Sequence, residues 1–453
     1  MKRRDFLKLA GIWGAGALVP ATSSLRLYAA PGDYVGPLWI TIEARGGWDP
    51  SSFCDPKGYT DPADPARINN YPATGIEQVA GFSIAPPPDS FLGNVELYST
   101  KQFIQAHGDK LLVINGIDTQ TNAHSDGQRH TWSGELAQKG FPSVGALIAS
   151  VLAGSKAMPF ISNGGYSEGG NLLTPVRVDN RSIAAVAEIA YPNHSQGKNS
   201  TVIRDYYSPE VLALIDQANA DRLTVLQNQQ HLLRLKAAME KLQTARASVG
   251  GLTGFVDNLA QNPEKALTDF NNRTTVQAMY QQARIALTAY ETGVSAAAHI
   301  NVGGFDTHSN HDQNHYPLLM DFLQGIDALI QEAQSRGLED RLVIIVGSDF
   351  GRTNKYNAGN GKDHWPITSM MFMGNSVNVI RGNRVVGKTS STQTAVKIDP
   401  LTLQADDNDA NPNSIRITPA HIHRALRKLA GVESSAAATT RFGLKGEDID
   451  LFG

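Results

Sequence analysis

The sequence predicts an α/β fold, a mainly parallel sheet flanked by helices, with a long helical hairpin inserted into it. Two observations predict this. Short runs such as LWITIEA (Leu38–Ala44), LLVINGI (Leu111–Ile117) and RLVIIVG (Arg341–Gly347) are apolar almost throughout, as strands covered on both faces are. Stretches of helical periodicity separate such runs, which is the pattern of helices crossing over between parallel strands.

The elements follow in chain order. Leu38–Ala44 ends at Arg45-Gly46-Gly47-Trp48-Asp49, a buried strand delivering a glycine turn and then a carboxylate. Leu111–Ile117 ends at Asp118 and a polar stretch reaching His130, and a helix follows over Ser143–Leu152. From Pro209 to about Ser248 the residues read as one long amphipathic helix, opened by Ser208-Pro209-Glu210. A second arm is expected from about Glu264 to Gly293, with the Gly-containing stretch between Gly250 and Pro263 as the connection. This hairpin, residues 209–293, is expected to pack on the main body. Ala297–Val302 is a strand ending in Gly303-Gly304-Phe305-Asp306-Thr307-His308, and Tyr316–Ser335 is a helix. Arg341–Gly347 leads into Ser348-Asp349-Phe350-Gly351-Arg352-Thr353. Ser369–Met373 is a last short strand preceded by Asp363-His364. Ile417–Leu429 reads as a helix, with Thr418 as cap and Pro419 in its first turn.

At the N-terminus, Lys2, Arg3 and Arg4 precede Phe6-Leu7-Lys8 and an apolar run from Leu9 to Val19, closed by Pro20. The run is short and carries Gly11, Gly14 and Gly16, so it reads as a cleaved signal and not as an anchor. The Arg3-Arg4 pair resembles a twin-arginine motif, which makes the twin-arginine translocase the expected export partner. Cleavage after Ala29 leaves a mature chain, residues 30–453, that works in the periplasm or at the cell surface.

The 453 residues, 41% of them hydrophobic, are enough to bury a substantial core. A net charge of -3 gives no basic field for nucleic acid, and nothing after residue 30 is long and apolar enough to span a membrane. The lone cysteine, Cys54, excludes an internal disulfide and reads as a buried thiol.

The chemistry signal is the recurrence of Asp or His at the ends of strands. In an open parallel sheet the carboxyl ends face one crevice, so Asp49, the Asp118–His130 segment, Asp306 with His308, and Asp349 are expected to converge, with His364 entering from its loop. Mixed Asp and His ligands suit one or two divalent ions of zinc, manganese or iron, a set fitted to phosphoryl-type transfer. Any one Asp in such a place also serves as a turn or helix cap.

The stretches RGGWD at 45–49, GGFDTH at 303–308, GSDFGRT at 347–353 and KDHWP at 362–366 resemble the secreted DUF1501 family over most of the mature chain. That family is a remote member of the alkaline phosphatase and sulfatase superfamily. The resemblance implies an alkaline-phosphatase-like core with Asp49 as the first-strand metal ligand. It also implies Asp306 and a nearby histidine on one ion, Asp349 on the other, and His364 returning to the first. His308 is preferred as that histidine because it lies within the family stretch, with His311 as the alternative. Phe350 stands where hydrolytic relatives carry a histidine, which leaves the second ion one ligand short.

Superfamily enzymes place their nucleophile at a helix start after the second strand, here within Thr119–Asp126. That makes Ser125 the candidate, with Thr121 and a water as alternatives. His124 and His130 read equally as ligands or as polar surface residues. Arg352 is a candidate for holding an anionic oxygen, or else a salt-bridged structural residue. Two functions are therefore expected to compete: a metal-dependent hydrolase or transferase of small phosphate or sulfate esters, and a non-catalytic export or surface-assembly protein that keeps the fold.

Overall fold

The computed structural model describes residues 34–91, 97–179, 182–195, 204–232, 235–236, 239, 242–243, 249–374 and 380–453. The expected leader, with Arg3 and Arg4, lies outside the described residues. Seven strands form the central sheet: β1 (Leu38–Ala44), β4 (Leu111–Asp118), β5 (Phe160–Ser162), β8 (Ala297–Val302), β9 (Leu342–Gly347), β12 (Ile367–Gly374) and β13 (Arg384–Val386). Short two-stranded pairs lie outside it: β2–β3 (Glu77–Val79, Phe82–Ile84), β6–β7 (His194–Ser195, Arg204–Asp205) and β10–β11 (Gly351–Arg352, His364–Trp365).

Strand order across the sheet is β13-β4-β12-β9-β1-β8-β5. The pairs β1–β8, β1–β9, β5–β8 and β13–β4 are parallel, whereas β12 is antiparallel to both its neighbours, β4 and β9. The reversal has a direct consequence for the site. An antiparallel strand begins at the edge where its parallel neighbours end, so His364, just before β12, arrives beside the loops that follow β1, β8 and β9.

Alternation along the strands fills two layers. Ile40, Ile42, Ile344, Val346, Met371 and Met373 face α1 (Thr100–His107), α7 (Thr274–Glu291) and α8 (His311–Ser335), with Phe103, Met279 and Phe322 among the contacting residues. Trp39, Val343, Ile345, Met370 and Phe372 face α3 (Val144–Leu152) and α9 (Pro419–Leu429), together with Trp132 from α2 (His124–Ser133). Each fully buried Ile, Leu or Phe contributes about 1.5–3 kcal/mol relative to exposure. The β1–β8 register is also set by polar matching. Thr41 Oγ1 lies 2.7 Å from His299 Nδ1, and Glu43 Oε2 lies 3.0 Å from His299 Nε2. A one-residue slip would strand Glu43 among apolar side chains.

The helical segment differs from the expected hairpin. α5 (Pro209–Gln229) breaks at residues 230–232, the described residues 235–236, 239 and 242–243 are helical again, and Leu223 is the one buried residue of α5. The expected connection between Gly250 and Pro263 is largely helix, α6 (Val249–Gln261). Phe255 and Leu259, one turn apart, are both buried. Their burial outweighs the roughly 1 kcal/mol that each helical glycine costs. α4 (Ile183–Ala190) packs against α6, and α7 lies directly on α8. α8 begins at His311, earlier than the expected Tyr316, and takes Pro317 inside it. No helix among the described residues is long and apolar enough to cross a membrane.

Candidate metal centre

Three segments meet at the carboxyl edge. α2 opens at His124 after β4 and its polar turn, the loop after β8 carries Asp306 and His308, and β11 carries His364. His364 Nε2 lies 3.1 Å from Asp306 Oδ1 and 2.9 Å from His308 Nε2. His308 Nε2 is 3.1 Å from the same Oδ1, and His124 Nε2 is 3.4 Å from Asp306 Oδ2. Ligand atoms of His124, Asp306 and His364 all fall within 4.8 Å of one another, so the three form a group able to hold a metal ion. The Asp306 side chain keeps 46% of its exposure and His124 37%, which leaves the group open to a ligand from solvent.

The far ring nitrogen of each histidine faces an acceptor. His124 Nδ1 is 2.7 Å from Asp349 Oδ2, His308 Nδ1 is 3.0 Å from Asp363 Oδ1, and His364 Nδ1 is 2.8 Å from the Asn122 carbonyl oxygen. Carboxylates and carbonyls only accept, so each Nδ1 is the donor, and in the neutral tautomer that this selects each ring turns a lone pair outward at Nε2. Three lone pairs and a carboxylate then converge, an arrangement that repels itself unless a cation or a shared proton lies among them. Metal-binding histidines are oriented in this way, by an acceptor on the other nitrogen. Ligands of a tetrahedral zinc stand roughly 3.3 Å apart, from metal–ligand distances of about 2.0–2.1 Å, and the spacings here are close to that. The donor set fits zinc, manganese or iron.

The supporting groups are buried. Asp349 is inaccessible to solvent, its Oδ1 accepts from the Gly46 amide at 3.1 Å, and its Oδ2 faces His124. Gly46 has φ +121°, and a Cβ there would stand 2.5 Å from the Asp306 amide nitrogen, so the RGGWD turn requires glycine where it meets the Asp306 loop. Arg352 lies opposite His364 in the β10–β11 register. Its buried guanidinium donates to the carbonyls of Gly47, Lys362, Gly46 and Phe305 and, at 2.7 Å, to Asp306 Oδ1. Arg352 thus holds Asp306 in place. Phe350 is buried against the rings of His124 and His364, with centroids 4.9 and 4.4 Å away.

Electrostatics follow from these contacts. The Asp349 hydrogen bond raises the His124 imidazole above its ordinary value, although burial opposes it. Burial alone would raise Asp306, but the hydrogen bond and charge of Arg352 bring it down to about 2, so it is anionic across the neutral range.

The remaining candidates fall elsewhere. Asp49 is buried, its carboxylate accepts from Ser51 and Lys362, and His311 Nε2 lies 3.3 Å from its Oδ2. His311 stacks on His315 with centroids 4.6 Å apart, and its Nδ1 meets Thr307 Oγ1 at 2.7 Å, so it belongs to the Asp49 group and not to the Asp306 group. Ser125 is exposed in the first turn of α2, next to His124. Thr121 Oγ1 accepts from the Ala123 amide, and His130 is buried with Nδ1 on the Thr119 carbonyl. Two contributors escape a sequence reading: the Asn122 carbonyl, which has no side-chain signature, and buried Lys362. Asp363 was within reach, because it precedes His364 in the KDHWP stretch.

Comparison with curated proteins gives no match. Among solved structures the chain is similar to Ps i-CgsB in complex with k-i-k-neocarrahexaose, at 9% identity and TM-score 0.39, covering 92% of this chain and 75% of that one. It is also similar to the lipoteichoic acid synthase LtaP from Listeria monocytogenes, at 9% identity and TM-score 0.36, covering 96% and 81%. A third is the PsFucS1 sulfatase from Pseudoalteromonas sp., at 11% identity and TM-score 0.33, covering 88% and 68%. The family described as protein of unknown function (DUF1501) matches residues 38–405, from β1 through the loops that carry Asp306, Asp349 and His364, and the chain belongs to that family.

Proposed function

We propose that this chain is an exported, metal-dependent hydrolase or transferase acting on small phosphate or sulfate esters. One observation carries the reading: the Nε2 atoms of His124, His308 and His364 turn toward Asp306 while each Nδ1 is held by Asp349, Asp363 or the Asn122 carbonyl. A divalent ion bound by these residues would supply Lewis acidity toward an ester oxygen. The chain itself contributes the rest. Arg352 keeps Asp306 anionic and in position, and the side-chain exposure of Asp306 and His308 gives a substrate its approach. Ser125, exposed beside His124 where the first helical amides favour negative charge, is the nucleophile we assign.

The test is direct. Purified protein should cleave an activated aryl phosphate or sulfate, chelation should abolish turnover, and an added divalent ion should restore it. His364→Ala should lose both metal and turnover, whereas Ser125→Ala should keep the metal and lose turnover. Turnover unchanged in His364→Ala would mark a contaminant. One feature favours the second reading, a non-catalytic export or surface-assembly protein: Phe350 packs its ring where the resemblance would put a further histidine ligand. Absence of turnover in metal-loaded protein across a panel of phosphate and sulfate esters would move the reading there.

A further inference from the structure

Asp49 stands where the family resemblance implies a metal ligand, yet the protein itself closes its carboxylate. Oδ1 accepts from the Ser51 amide at 2.9 Å and from the Ser51 hydroxyl at 2.5 Å. Oδ2 accepts from Lys362 Nζ at 2.5 Å and lies 3.3 Å from His311 Nε2. The side chains of Asp49 and Lys362 are both inaccessible to solvent. Lys362 Nζ also donates to Asn69 Oδ1 at 2.7 Å and sits 5.1 Å from the centre of the Tyr356 ring. Asn69 cannot turn away, because its Nδ2 donates to Ser51 Oγ and to the Lys57 carbonyl. Burial pushes the Asp49 carboxyl up, but the Lys362 ammonium and His311 hold it well below the usual carboxylate range. Both carboxylate oxygens are thus taken up by donors of the chain itself, without an ion.

We propose that the Lys362 ammonium is a built-in cation taking the place of a second metal ion, so that the centre holds one ion per chain, at the Asp306 group. The proposal rests on the metal reading given above. It explains why residues 362–364 act as a unit: Lys362 donates to Asp49, Asp363 orients His308, and His364 faces Asp306. An ammonium has no vacant orbital to offer an ester oxygen, so the Asp49 group supports the fold of the site and is not a second reaction centre. The place of Nζ is also ringed by donors a divalent ion accepts, Asp49 Oδ2 and Asn69 Oδ1, with His311 Nε2 near that Oδ2. Removing the ammonium leaves a buried carboxylate uncompensated. That pocket should then recruit an ion of its own.

The experiment is a metal count by mass spectrometry on full-length protein equilibrated with zinc or manganese and desalted. Wild type should carry one equivalent and Lys362→Ala two. Two equivalents in wild type, or one in a folded Lys362→Ala, would overturn the proposal. Should Lys362→Ala fail to fold, Asp49→Asn decides: one equivalent retained supports the proposal, and loss of an ion overturns it. A wild type that binds no ion would defeat the metal reading itself, a result separate from these.

Discussion

Asp349 meets the Asp306 group through His124. Its Oδ2 lies 2.7 Å from His124 Nδ1, while its Oδ1 accepts from the Gly46 amide. The carboxylate ties the turn after β1 to the start of α2, and it fixes the histidine so that Nε2 points at Asp306.

Asp349→Asn tests that coupling. The amide keeps the shape but can donate where the carboxylate only accepted, so His124 loses the preference that turns its lone pair outward. Metal affinity should fall by about 10- to 100-fold, the usual effect of removing a group that orients a metal-binding histidine. Competition against a chelator of known affinity would measure it. Unchanged affinity would remove His124 from the ligand set.

Arg352→Ala should be costly to the fold as well as to the site. Five acceptors lose their donor, four of them main-chain carbonyls from three different loops. Leaving a buried acceptor without its donor typically costs about 1–3 kcal/mol, and urea unfolding of the variant should show a loss of at least that order. Arg352→Lys should recover only part of it, because an ammonium cannot present the planar fork that spans Gly47, Lys362 and Asp306. A variant as stable as wild type would show that the guanidinium is dispensable.

Much of this arrangement is legible in the residues, for identifiable reasons. Strands buried on both faces are apolar without interruption, so β1, β4 and β9 stand out, and an Asp or His at their ends is conspicuous. Strand direction leaves no such mark: β12 reads the same parallel or antiparallel, yet its reversal is what brings His364 to the site. β5 is three residues long and carries too little pattern to register. Lys362 reads as a solvated loop residue, and only the folded chain reveals it buried on Asp49. The position of Asp49 at a strand end was visible, but its bonding partners come from residues 51, 311 and 362, and no local pattern announces such a meeting.

Export can be tested apart from chemistry. Changing Arg3 and Arg4 together to Lys keeps the positive charge but removes the pair that the translocation receptor reads. The precursor should stay in the cytoplasm, as cell fractionation with an antibody would show. Normal periplasmic appearance of the double variant would remove the twin-arginine assignment.

Stability should fall as the solution becomes mildly acidic, through histidines that are buried and neutral. His423, on α9, is fully buried and held near a pKa of about 3 by that burial, although its Nε2 donates to the Thr131 carbonyl at 2.8 Å. Burial also lowers His311 and His315. In the unfolded chain each returns to about 6.5. Below that pH the unfolded state binds protons that the folded state refuses, so the stability present above 6.5 is lost as pH falls toward the folded value. For His423 alone the loss by pH 5 is roughly 2 kcal/mol, at 1.36 kcal/mol per pH unit. Urea midpoints at pH 7.5, 6 and 5 would trace the slope. His423→Gln keeps a donor for the Thr131 carbonyl and removes the titration, so it should flatten the slope by that amount. An equal slope in wild type and His423→Gln would mean that His423 already takes up a proton in the folded chain, and that α9 opens at acid pH to admit it.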